Sequence, residues 1–143
     1  MSGLYETDFY AWANQQADLL REGKLPDADI GNIAEEIASL GRSERRELVS
    51  SLSLLLLHML KWRFKPERRG TSWRMSIANT RDRLSDHLAD SPSLKSKLPE
   101  AMQTAYRYAR RDAVVATGLA ESSFPADCPW TFDQAMQDEL KAE

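Results

Sequence analysis

The sequence predicts an all-α fold, a compact single-domain bundle of about five or six helices. Three observations carry this. Apolar residues return at three- and four-residue steps through most of the chain. No stretch alternates apolar and polar with a period of two, as a half-buried strand would. Capping and breaking residues (Asp, Ser, Thr, Gly, Pro) fall between the periodic segments.

The elements follow in order. A first helix is expected from Thr7, as cap, to Glu22, with Phe9, Trp12, Ala13, Gln16, Leu19 and Leu20 on one face and Gly23 as its stop. A second begins after Pro26, capped by Asp27 or Asp29, and ends at Gly41. Its stripe is Ile30, Ile33, Ala34, Ile37 and Leu40. A third runs from Ser43 to Phe64 and holds the strongest core signal: Leu48, Leu52, Leu55, Leu56 and Met59, widened by Leu54, Leu57 and Leu60. Pro66 forces an exit. Ser72 caps a fourth helix, Trp73 to Ala89, with Ile77, Leu84 and Leu88 inward. Ser91 and Pro92 open a short turn to Lys97. Pro99 opens a long helix to Thr117, with Gly118 as stop and small Ala105, Ala109 and Ala113 facing inward. Thr131 and Gln134 form a capping box for a last short helix.

The chain has 143 residues, and a domain of that size buries roughly 70% of its unfolded surface. Hydrophobic content of 42% and charged content of 29% exclude a disordered class. A lone cysteine, Cys128, makes no internal disulfide and fits a reducing compartment. Met1 to Tyr10 lacks the pattern of a signal peptide. The most apolar run, Leu52 to Leu60, is far shorter than the ~20 residues that span a bilayer. The expectation is a cytoplasmic protein with its core over about 4–140 and no membrane partner.

Five phrases stand out together. They are Leu4-Tyr5-Glu6-Thr7-Asp8-Phe9-Tyr10-Ala11-Trp12, Leu56-Leu57-His58-Met59-Leu60-Lys61-Trp62, Trp73-Arg74-Met75-Ser76-Ile77, Ser91-Pro92-Ser93-Leu94, and Phe124-Pro125-Ala126-Asp127-Cys128-Pro129-Trp130. In order and spacing the chain resembles the bacterial family catalogued as domain-of-unknown-function family 29, over nearly its whole length. Trp130 departs mildly, standing where that family often has tyrosine. The resemblance implies an all-α fold and brings no activity, cofactor or catalytic residue.

Charge is unevenly placed. Lys61, Arg63, Lys65, Arg68, Arg69, Arg74, Arg81 and Arg83 against Glu67 and Asp82 make residues 61–83 +6, while residues 1–40 carry -6. Trp62, Phe64 and Trp73 are interleaved with the basic run. Cations that neutralise phosphates beside aromatics that stack on bases sketch a nucleic-acid contact. The plainer account pairs the acidic helices with the basic segment and makes the tryptophans core anchors. The overall charge of -3 also weakens steering toward polyanions.

His58 lies in the apolar third helix and His87 in the fourth. With Glu36 they form a candidate metal set, since bundles hold metals between facing Glu and His side chains. Neither Glu-x-x-His nor His-Glu-x-x-His occurs. The plainer account makes His58 a core histidine bonded to a carbonyl or to Glu36. Cys128 lies between prolines and reads as packing, and no glycine-rich phosphate loop is present. The wide stripe of the third helix leaves apolar surface for a homodimer.

The expectation is therefore a non-enzymatic helical interaction module without a cofactor. Its basic face, built from Lys61, Arg63, Lys65, Arg68, Arg69 and Arg74, would meet nucleic acid or an acidic protein. The alternative is a metal-binding bundle or enzyme using Glu36, His58 and His87.

Overall fold

The computed structural model describes residues 3–140. Among them there are six α-helices and no strand: α1 (Leu4–Thr7), α2 (Phe9–Arg21), α3 (Ile30–Phe64), α4 (Thr71–Asp90), α5 (Leu98–Thr117) and α6 (Phe132–Gln137). The all-α class holds. No helix among the described residues is long and apolar enough to cross a membrane. The chain divides into two units, residues 1–44 and 45–143.

The expected first helix is split by Asp8. Its side chain accepts from the backbone N–H of Ala11 and caps α2, so Asp8 takes the role assigned to Thr7. The rings of Tyr5, Phe9 and Trp12 cluster with centroids 4.6–5.9 Å apart. Trp12 Nε1 donates to the Asp29 carboxylate at 3.1 Å, and Asn32 Nδ2 donates to the same oxygen at 2.9 Å. The bond from Asn32 is the largest influence holding the Asp29 carboxyl below its usual range. Gln16 is buried because its Oε1 accepts the Asp29 N–H at 2.7 Å, just ahead of α3. Polar contacts thus fasten the start of α3 within this unit. Ile30, Ile37 and Leu40, expected as its buried stripe, stay 53, 64 and 68% exposed.

The second and third predicted helices are one, since α3 continues through Gly41. Glycine stops a helix when it turns left-handed. Only Gly23 and Gly118 do so among the described residues, with φ of 72° and 74°. Arg42 also pairs with Glu35 at 3.0 Å, spanning Gly41 along the helix.

The second unit holds the apolar core. Leu48, Leu52, Leu55, Leu56 and Leu60 of α3 are fully buried against Ile77 and Leu84 of α4 and Ala105, Ala109 and Ala113 of α5. Each buried leucine stabilises by roughly 1.5–3 kcal/mol. Leu54, counted on the widened stripe, is instead 37% exposed.

Gly118 ends α5 in the left-handed conformation. Beyond it, Arg110 donates to the Glu121 carboxylate at 2.7 Å and to the carbonyls of Glu121 and Phe124 at 3.0 and 3.2 Å. Tyr106 donates to the Pro125 carbonyl at 2.6 Å. These bonds fasten the C-terminal loop, and buried Phe124 meets the ring of Phe64 edge-on. The predicted capping box of Thr131 and Gln134 is formed.

Candidate functional site

The basic run sits where α3 ends and α4 begins, joined by the turn Pro66–Arg68. Several carbonyls at a helix C-terminus lack internal partners. Arg69 answers one of them: its Nε donates to the Trp62 carbonyl at 2.6 Å. Its guanidinium also lies 5.3 Å from the Trp62 ring centre, and Arg74 lies 4.9 Å from the same ring. Trp62 itself is buried. Lys61 covers Trp73 at 4.9 Å, and Arg63 lies 5.3 Å from the Phe64 ring. Lys65 pairs with Glu67 at 3.2 Å. The Glu67 carboxyl is held low first by its own backbone N–H and then by Lys65. Arg63, Arg68 and Arg74 are exposed. Lys61, Arg63, Lys65, Arg68, Arg69 and Arg74 thus lie on the end of α3, the connecting turn and the start of α4, with Lys61, Lys65 and Arg69 half-buried. The interleaved aromatics, however, serve as platforms for cations.

Two grooves open here. One, of about 390 Å³, is lined by Met59, Trp62, Arg63, Arg69 and Trp130; the other, of about 430 Å³, by Arg74, Ile77 and Arg81. The segment Asp138–Leu140 borders both. Arg81 ties that segment down, donating to the carbonyls of Ala135 and Asp138, each at 2.9 Å. Asp138 and Glu139 were not singled out in the sequence. The readable signal was a pair of adjacent acids directly after the last helix.

The candidate metal residues take separate tasks. Glu36, in the first unit, accepts the hydroxyl of Tyr5, and that bond is the largest cause raising the Tyr5 pKa to about 12. His58 Nδ1 bonds the Leu54 carbonyl one turn back at 2.9 Å, and burial holds its pKa below the ordinary value. His87, nearly buried on α4, places Nε2 3.3 Å from the Glu47 carboxylate of α3. Among the described residues, neither Glu36 nor His58 belongs to a group of three prospective metal ligands.

A third cleft, of about 600 Å³, lies beside α5 and is lined by Arg107, Arg110, Arg111, Tyr106 and Cys128. Arginines three and four apart on one helix are its sequence signal. The Cys128 thiol donates to the Trp130 carbonyl at 3.3 Å, and burial pushes its pKa up, so it stays protonated and a weak nucleophile.

These features define an all-α protein with a cationic, aromatic-backed groove pair at one end of its helical core. The chain belongs to the family described as Domain of unknown function DUF29, which it matches over residues 4–140. No curated protein and no solved structure matches it.

Proposed function

We propose that the chain is a non-enzymatic interaction module of the bacterial cytoplasm that binds an acidic protein segment on the face Lys61–Arg74. The observation that carries this reading is the occupation of Trp62 and Trp73 by Arg69, Arg74 and Lys61. Nucleic-acid binding by stacking needs open rings. Here the rings hold cations in place, so the face offers fixed positive charge. Met59 and Trp130 in the adjoining groove add apolar wall for a peptide side chain. A second element of the reading is self-association through exposed Ile30, Ile37 and Leu40.

The test is fluorescence anisotropy of a labelled 20-residue polyglutamate and of single- and double-stranded oligonucleotides, at low and physiological salt. Polyglutamate should bind and be released by salt. Arg63→Glu with Arg68→Glu should abolish binding while leaving the melt cooperative, because among the described residues neither side chain bonds the backbone. Oligonucleotide binding without polyglutamate binding would transfer the face to nucleic acid. Silence of every probe at low salt, with wild type and with Asp138→Asn/Glu139→Gln alike, would end the reading.

A further inference from the structure

The grooves of the basic face are walled in part by an acidic segment of the same chain. Asp138, Glu139 and Leu140 border the groove of Arg63 and Arg69 and the groove of Arg74 and Arg81. Two acidic residues therefore stand at the walls of grooves that four arginines also line, and Asp138 acts electrostatically on Arg81. The segment is held by the Arg81 bond to the Asp138 carbonyl, next to the Arg81 bond to Ala135 of α6, and by Leu140, which packs partly buried against the core. Both acidic side chains are exposed. Their contribution at this place is charge.

We infer that Asp138-Glu139-Leu140, at the wall of both basic grooves, supplies a tethered negative charge that competes there with the acidic partner. This rests on the function proposed above and adds its regulation and the partner's chemistry. The partner is a peptide with adjacent acids followed by an apolar residue, the pattern that the chain itself places there. A tethered competitor acts at a high effective concentration and lowers apparent affinity without a new contact. Salt has opposing effects: it weakens the partner's attraction and also the segment's hold.

The experiment compares wild type with Asp138→Asn/Glu139→Gln, using the labelled polyglutamate as probe. These changes keep size and leave the Arg81 bonds to backbone carbonyls intact, and a thermal melt confirms the fold. The neutral variant should bind about fivefold more tightly at low salt, the scale expected when two exposed charge interactions are removed. The gap should close as salt rises. Binding by the neutral variant alone would show complete self-blocking and support the inference. Equal or weaker binding by the neutral variant would overturn the inference and leave the acidic-partner reading standing. No binding by either protein would overturn both.

Discussion

At the scale of single residues, the two arginines side by side in sequence do different work. Arg69 bonds the Trp62 carbonyl and stacks on its ring, whereas Arg68 is exposed at the end of a turn. Arg69→Ala should therefore lower stability by about 2 kcal/mol, the sum expected for a charge-assisted hydrogen bond and a cation–π contact. Arg68→Ala should change it by less than about 0.5 kcal/mol. Urea unfolding of both variants checks the pair. Sequence alone shows two equal cations here; which one turns back onto α3 depends on the path of the turn Pro66–Arg68. His58 gives a pH prediction. Burial lowers its folded pKa beneath the ordinary 6.5, so the unfolded chain binds the proton more readily. Its contribution is complete above that value and is lost as pH falls through the folded pKa. Thermal melts from pH 8 to 5 should show wild type losing stability below about 6.5, with a shallower slope for His58→Gln.

At the scale of elements, α3 teaches most. Its leucine stripe was legible because burial follows helical spacing, and Leu48, Leu52, Leu55 and Leu56 are all fully buried. Its continuity was not legible. Gly41 has the residue type of a stop but not the conformation, and a side chain there would meet open space. Gly41→Ala should stabilise the protein by about 0.5–1 kcal/mol through helix propensity. Gly118→Ala, at φ +74°, should destabilise by about 1 kcal/mol. Paired thermal melts read both signs. The capping box was legible as well, since Thr131 and Gln134 stand next to the bonds they make. The stripe Ile30, Ile37, Leu40 misled for a physical reason: Asp29, Asn32 and Glu36 hold this stretch by polar contacts from Trp12, Gln16 and Tyr5. If those exposed residues serve self-association, mass should rise with concentration in wild type and not in Ile37→Glu, as light scattering would record.

At the scale of the molecule, charge separation is the feature that joins the sequence to the proposed function. The basic run is visible as a count, and the structure distributes it over the end of α3, the connecting turn and the first half of α4 and just beyond. In the first unit, Asp18, Glu22 and Glu35 pair with Arg21, Lys24 and Arg42 of the same unit. What the count could not show is that the tryptophans carry the cations, or that Asp138 and Glu139 reach the same grooves. Both depend on where the chain goes after α3 and α6. The four tryptophans allow the claim to be located directly, because Trp62 and Trp130 line one groove and Trp12 lies in the other unit. The measurement is the indole N–H signals of 15N-labelled protein during titration with the polyglutamate peptide. An acidic-segment face at Lys61–Arg74 requires that Trp62 and Trp130 shift, that Trp12 holds still, and that salt reverses the change. Unmoved Trp62 and Trp130, or movement centred on Trp12, would contradict it.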